Sequence, residues 1–358
     1  MKICFLISNI NHSGGTERVT CILANQLIQL NYQVSIASLA GEGKPYFDFN
    51  EYIQIQYLYA QKPSFTKNFL GCVYKIRSFV YRENIDVLID VDSILTVFSV
   101  PALIGMEIKH ICWEHFNFEE NLGVRFRNWG RQLAVRYCDQ IITLTEKDKV
   151  LWQKGIKNIH AKINAISNPT PYENIESFPK FENKTALALG RLTYQKSFDL
   201  LLKAWVNVNE KYPDWKLQII GSGEEENQLK TLCNTLGIEK VVEFIPVTQN
   251  VIQYYKDASV YCMSSRFEGL PMVLLEAQAF GLPIVSFDCN TGPSDLIVHN
   301  ENGYLVDCFD IEKFAEEIIK VIELDEEKYR FMCESAKKKN KEYYCEKIIK
   351  KWIDVIGN

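Results

Sequence analysis

The sequence has no Cys-x-x-Cys pair, although it holds 11 cysteines; the two nearest are Cys333 and Cys345. This lack excludes a zinc ribbon and a thioredoxin-type redox motif. An odd number of scattered cysteines also argues against a secreted disulfide framework. Cys4, Cys21, Cys138 and Cys262 stand among apolar neighbours and read as small buried hydrophobes in a reducing compartment. Long hydrophobic runs are missing too. The longest spans residues 94–106 and contains Pro101. A membrane-spanning helix needs about 20 apolar residues, so this run is expected in a core. Residues 1–7 are apolar, but Asn9 and Asn11 follow at once. With no small-residue cleavage site, the start reads as a strand rather than a signal peptide. The expectation is a cytoplasmic chain that is soluble or rests on the inner membrane surface. There is no G-x-G-x-x-G fingerprint, no Walker loop, no zinc-ligand spacing and no serine-protease triad. Excess positive charge is also absent: the net charge is −5, so bulk charge gives no reason to expect nucleic acid as a partner.

What is present is the composition of a globular protein, 47% hydrophobic and 24% charged over 358 residues. That length suits two domains. Charge divides unevenly between them. Up to Asn168 there are 18 basic and 15 acidic residues, and beyond it 22 and 30. Apolar periodicity alternates between strand and helix from the first residue. Strands are expected over 2–8, 33–39, 87–91, 110–113 and 140–145, with helices over 17–30, 65–82 and 123–137. Asn168-Pro169-Thr170-Pro171 then breaks the pattern as a linker would. The alternation restarts with strands at 185–190, 215–220, 241–244, 259–263 and 283–287. Helices are expected between them, at 198–211, 225–236, 251–256 and 271–280, and the tail from Ile311 is helical and charged. Alternation of this kind predicts α/β architecture, two doubly wound Rossmann-like domains with parallel sheets. The expected boundaries are 1–168, 169–340 and a carboxy-terminal helix, 341–358, that can pack back on the first domain. Ligands of such folds bind at the carboxyl ends of the strands, which predicts a cleft between the two sheets.

Three segments carry chemistry there. In the stretch from Arg266 to Ala277, Glu268 precedes Gly-Leu-Pro and a helix begins near Pro271. A helix start leaves N–H groups free and carries partial positive charge, which makes an anion site. The amides of Met272, Val273 and Leu274 are therefore candidates for a phosphate. Glu276, about one and a half turns on, can accept two hydrogen bonds from a vicinal diol such as a ribose. The alternative is a capping acid plus a solvated helix acid. Second, Arg191 and Lys196 bracket the loop after the first strand of the second domain, and a cation pair there suits a diphosphate. Third, the loop after the first strand ends in Gly14-Gly15, where a backbone can approach a ligand closely. Gly221-Ser222-Gly223 is a partial fingerprint without its third glycine. His115, in Trp113-Glu114-His115, follows a strand and is a candidate for function at the cleft.

Two segments hold basic residues and no acids, 62–82 and 123–138. The first carries Lys75 and Arg77, interleaved with Phe65, Phe69, Val73, Ile76 and Phe79; the second carries Arg125, Arg127, Arg131 and Arg136 with Phe126 and Trp129. Such helices suit an anionic bilayer or lipid headgroup. A solvated basic face is the alternative.

At these residues the chain resembles the family 4 (group 1) retaining glycosyltransferases of the GT-B architecture. Glu268 and Glu276 match the family's pair of glutamates separated by seven residues. Gly190, Arg191, Leu192 and Lys196 match its Gly-Arg-Leu…Lys element, and Gly14, Gly15, Glu17, Arg18 and Val19 its amino-terminal element. The resemblance implies transfer from a nucleotide diphosphate sugar, with UDP expected, and neither metal nor other cofactor. It implies that Arg191 and Lys196 bind the diphosphate and that Glu276 holds the ribose. Glu268 and the backbone of Leu270, Met272 and Val273 would hold the donor sugar and phosphate, Gly14 and Gly15 would border the donor, and His115 would lie near the reacting sugar. The implied acceptor is a glycan on a lipid diphosphate, in capsule or O-antigen assembly. Two positions depart from the pattern. Ser197 stands where Gly often follows the Lys, and Pro246 stands where a Gly usually borders the nucleobase. The alternatives are a nucleotide-sugar epimerase, a glycan phosphorylase, for which no cofactor lysine stands out, and an inactive partner subunit.

Overall fold

The computed structural model describes residues 1–64 and 66–357. It forms two compact units, Met1–Pro169 with Cys345–Asn358, and Thr170–Tyr344. Phe65, the expected first residue of a helix, lies outside the described residues.

The first unit runs β1 (Lys2–Asn9), α1 (Gly15–Gln29), β2 (Gln33–Ala40), β3 (Gln54–Tyr57), α2 (Phe69–Glu83), β4 (Val87–Val91), α3 (Thr96–Leu103), β5 (Lys109–Trp113), α4 (Arg125–Tyr137), β6 (Gln140–Thr143), α5 (Glu146–Gly155) and β7 (Lys162–Ala165). Its sheet is parallel throughout, in the order β3-β2-β1-β4-β5-β6-β7. Strand β1 carries the unbroken apolar run Ile3–Ile7 and β4 opens with Val87, Leu88 and Ile89, because helices cover both faces of the sheet. Phe5 in β1 sits in register with Ile36 in β2 and Ile89 in β4, and all three are buried.

The apolar run expected in a core forms α3, preceded by a tight turn at Ser93–Leu95. Pro101 lies inside α3, which ends two residues later. Thr96 Oγ1 lies 2.7 Å from both Ser93 O and Gly130 O. A Cβ on Gly130 would lie 2.1 Å from the Ser93 carbonyl oxygen, so only glycine lets α4 approach this turn. The last helix, Cys345–Gly357, also belongs to this unit. Its Trp352 ring meets Trp113 edge-on at 4.9 Å, and Lys109 Nζ donates to Ile356 O at 3.3 Å.

The second unit runs β8 (Thr185–Leu189), α6 (Phe198–Lys211), β9 (Lys216–Ile220), α7 (Glu226–Thr235), β10 (Val242–Ile245), α8 (Val251–Asp257), β11 (Val260–Met263), α9 (Met272–Ala279), β12 (Ile284–Phe287), α10 (Pro293–Leu296), β13 (Gly303–Val306), α11 (Ile311–Ile322) and α12 (Glu326–Asn340). Its parallel sheet has the order β10-β9-β8-β11-β12-β13. The core joins Trp205, Leu217, Cys262, Phe287 and Phe314 beneath α6 and α11. Each sheet reverses its strand order at one point, between β1 and β4 and between β8 and β11. In open α/β sheets this reversal opens the crevice where ligands bind.

Candidate functional site

In the second unit the loops after β8 and β11 meet at the point where strand order reverses. Lys196 Nζ contacts Glu268 Oε1 at 2.5 Å. Gln195 Nε2 donates to Phe267 O at 3.1 Å, and the Arg266 amide donates to Gln195 O at 2.8 Å. The Arg266 guanidinium donates twice to the Asp199 carboxylate, at 3.1 and 3.2 Å. It also donates to Ser197 Oγ at 2.6 Å and lies 4.1 Å from the Tyr194 ring centre. Two of the expected donor-site residues, Lys196 and Glu268, are thus joined, while Arg191 is exposed in the same loop.

Glycines explain how the loop lies so close. A Cβ on Gly221 would stand 1.9 Å from Gly190 O, and one on Gly223 would stand 2.2 Å from Leu192 O. The Gly-Ser-Gly that resembled a partial fingerprint therefore admits the Arg191 loop. Gly190 in turn underlies the stem of Lys196, whose carbons are 3.2 Å from where its Cβ would be. Ser197, at the usual glycine position, has φ of +52°. That left-handed conformation is the reason glycine suits the site. Here the Ser197 hydroxyl accepts from Arg266 and donates to Tyr194 O at 3.3 Å.

Helix α9 starts with Met272 after Pro271. Leu274, expected to offer its amide, instead donates to Pro271 O at 3.1 Å. Met272 and Val273 are the first two helical residues, whose N–H groups have no acceptor within a helix. The turn before α9 is clamped by residues that motif reasoning missed. Thr291 Oγ1 donates to Glu268 O at 2.6 Å, and a Cβ on Gly292 would strike Pro271 at 2.5 Å. Gly292-Pro293 just past a strand was the available signal. Glu276 is buried on α9 and accepts from Tyr255 Oη at 2.7 Å. Tyr255 is itself stacked between Tyr261 and Phe280.

In the first unit Gly14 caps α1, and Gly15 is its first residue. A Cβ on Gly14 would lie 2.5 Å from Glu17 Oε2, so glycine lets this carboxylate fold back over the helix start. His115 follows β5 and is 8% exposed. Its Nε2 finds no hydrogen-bond partner among the described residues. Burial pushes its pKa down to about 3, with Glu114 opposing and Arg127 assisting. His115 is therefore held neutral, with a buried ring nitrogen that no described residue pairs.

Beside it lies an ionic cluster that the sequence concealed. Arg131 Nε meets Glu114 Oε2 at 3.1 Å, and Arg127 Nη1 reaches Asp92 Oδ1 at 2.5 Å and Glu114 Oε1 at 3.4 Å. Ser93 Oγ also donates to Glu114 at 2.6 Å. Burial works against the Glu114 charge, but Arg131 and Arg127 hold its carboxyl below the usual range. Arg131 also donates to the carbonyls of Asn117, Phe118 and Glu120. This corrects the expectation that Arg131 lies on a basic membrane-facing surface: it is 2% exposed. Asp90-Val91-Asp92, the nearest Asp-x-Asp, is engaged as well, since Asp90 accepts from His110 and Ser99. Among the described residues no three His, Cys, Asp or Glu side chains are grouped to hold a metal ion.

Phe69, Val73, Ile76 and Phe79, read as interleaved with basic residues, pack into or against the core under α2. Lys75 and Arg77 are exposed. The Lys75 ammonium sits 3.8 Å from the Tyr59 ring centre and donates to Leu58 O. Arg77 Nη1 donates to Ala102 O and Ile104 O at 2.7 and 2.9 Å.

The sequence matches two family descriptions, "Glycosyltransferase Family 4" over residues 13–173 and "Glycosyl transferases group 1" over residues 173–339. An "Uncharacterized glycosyltransferase" of Haemophilus influenzae is 42% identical over 99% of both chains. The chain belongs to the group 1, family 4 glycosyltransferases. The "Amylovoran biosynthesis glycosyltransferase AmsD" of Erwinia amylovora is 31% identical to this transferase over 99% of both chains. An α-1,4-N-acetyl-D-galactosaminyltransferase of Campylobacter jejuni, named for an undecaprenol-PP-linked glycan, is 29% identical over 100% of this chain and 98% of its own. In structure, S. aureus TarM, solved in complex with UDP, matches with a TM-score of 0.84 at 14% identity, covering 100% of each chain. The fold of the glycosyltransferase is GT-B.

Proposed function

We propose that this glycosyltransferase moves a hexosyl or N-acetylhexosaminyl unit from a UDP-sugar to a hydroxyl of a lipid-linked glycan. Transfer proceeds with retention and without a metal ion, in envelope polysaccharide assembly on the cytoplasmic side of the membrane. The lipid-linked glycan named for the Campylobacter relative, the amylovoran pathway of the Erwinia relative and the UDP in TarM support the substrate classes.

The observation that carries the reading is the Lys196–Glu268 pair beside the start of α9, at the strand-order reversal. As the glycosidic bond breaks, negative charge grows on the leaving diphosphate. Lys196 and Arg191 stabilise that charge where it develops, with the Met272 and Val273 amides adding fixed dipoles. Lys196 exchanges Glu268 for the diphosphate when the donor enters, and Glu268 with the Leu270 backbone then holds the sugar. Glu276, oriented by Tyr255, accepts from the ribose hydroxyls. For His115 of the first unit we infer, from the family resemblance alone, the role of a neutral hydrogen-bond partner to a sugar hydroxyl. No enzymic nucleophile is assigned. The acceptor attacks from the face the diphosphate leaves, and a phosphate oxygen takes its proton.

The test is release of nucleoside diphosphate from a panel of nucleotide sugars with a lipid-linked acceptor, with and without EDTA. UDP release unaffected by EDTA is expected. No release from any donor overturns the reading, and strict manganese dependence overturns the metal-free mechanism.

A further inference from the structure

Helix α2 turns Cys72, Ile76, Phe79 and Val80 into the core. At 100° per residue, Leu70, Tyr74, Arg77 and Tyr81 fall on the opposite side, at i, i+4, i+7 and i+11. A solvent-facing stripe of this kind is ordinarily polar. Here Leu70, Tyr74 and Tyr81 are 78%, 72% and 75% exposed. The stripe extends beyond the helix, because the Arg77 guanidinium bonds the carbonyl of Ile104, whose side chain is 70% exposed. Charge along the helix is mostly positive, with Glu83 at its end paired to Arg82 at 2.8 Å. Residues 62–82 contain Lys62, Lys67, Lys75, Arg77 and Arg82 and no carboxylate. No helix among the described residues is long and apolar enough to cross a membrane.

From this juxtaposition of an exposed Leu-Tyr-Tyr stripe with a mostly cationic surround, we propose that α2 docks the transferase flat on an anionic phospholipid bilayer. The Leu70 and Ile104 side chains enter the acyl boundary. The two tyrosines place their rings there and their hydroxyls among headgroups, and the cations meet lipid phosphates. Charge complementarity favours a bilayer over a second copy of the chain. A twofold contact through α2 would set this cationic segment against itself, and like charges repel. The proposal gives the lipid-linked acceptor of the proposed function a surface to be met on. Its test reads binding alone, so it stands or falls apart from catalysis.

The full chain is floated with vesicles of phosphatidylcholine alone and of phosphatidylcholine mixed with phosphatidylglycerol, at low and high salt. Binding to the anionic vesicles is expected at least about tenfold above the neutral ones, falling as salt rises. The triple variant Leu70→Ser, Tyr74→Ser, Tyr81→Ser should lose about tenfold or more of that binding. Its thermal unfolding should stay unchanged, because the three side chains are exposed. Lys67→Glu should weaken binding to anionic vesicles alone. If the wild type ignores anionic vesicles at low salt, or the triple variant floats as the wild type does, the proposal is overturned. A sedimenting dimer that the triple variant abolishes, with no vesicle binding, would mark the stripe as a contact between copies and overturn it equally.

Discussion

Each unit gathers cations and carboxylates just past the ends of neighbouring strands, and the two clusters differ in what they leave exposed. In the first unit, Asp92 and Glu114 follow β4 and β5 and are closed off by Arg127 and Arg131 from α4. In the second, Lys196 follows β8 and meets Glu268 after β11 with 18% of its side chain still exposed. A buried ion pair is held because removing one partner strands the other in a poor dielectric. A pair whose cation keeps some access to solvent can trade its partner for a ligand's charge. The same chemistry thus serves as scaffold in one unit and as a candidate anion site in the other.

The largest expected effect breaks the closed cluster. Arg131→Leu should cost about 3–5 kcal/mol in urea unfolding, because Glu114 and three carbonyls lose their donor. A loss under about 0.5 kcal/mol, typical of surface positions, would erase the contrast. Next comes the open cluster. Lys196→Ala should slow transfer by about 100-fold or more, roughly 2.7 kcal/mol, in a UDP-release assay. Unfolding that falls as far as in the Arg131 variant would show that Lys196 is scaffold too.

A pH-dependent effect, gradual rather than abrupt, sharpens the closed side. The His115 imidazole titrates near 6.5 when unfolded and about 3 when folded. Below 6.5 the unfolded chain takes up a proton that the folded chain refuses. Stability is therefore full above 6.5 and falls as pH drops toward 3, by up to about 1.4 kcal/mol per pH unit. Urea midpoints measured across this window should flatten in His115→Asn. An equally steep profile in that variant would place the acid sensitivity elsewhere. The smallest effect concerns the open loop. Ser197→Gly relieves a left-handed φ but removes an acceptor from Arg266. The two terms oppose, and stability should change by less than about 1 kcal/mol. A larger loss in thermal unfolding would mean that the Ser197 hydroxyl holds the loop.

Much of the fold was legible because a parallel sheet buried on both faces writes apolar runs, as over Ile3–Ile7 in β1 and Val260–Met263 in β11. Short edge strands such as β3, with alternating exposure, left no comparable run. The glutamate pair and the Lys196 loop were legible because motif spacing is local. Arg131 was misread for the opposite reason, since its partner Glu114 lies on another element.

By itself the sequence determined the alternation of elements, the break near Pro169 and the residue types at the loop ends, because each depends on neighbours within a few positions. Only the tertiary structure decided which charges are scaffold. Two helices with similar basic and aromatic composition, α2 and α4, present opposite faces. α4 turns Arg127 and Arg131 inward to carboxylates carried by the loops after β4 and β5, whereas α2 turns its phenylalanines inward and leaves Leu70, Tyr74 and Tyr81 in solvent. Composition sets how much charge and apolar surface a helix carries. Its rotation against the sheet, set by packing with distant residues such as Gly130 against Ser93, sets which of them meets water.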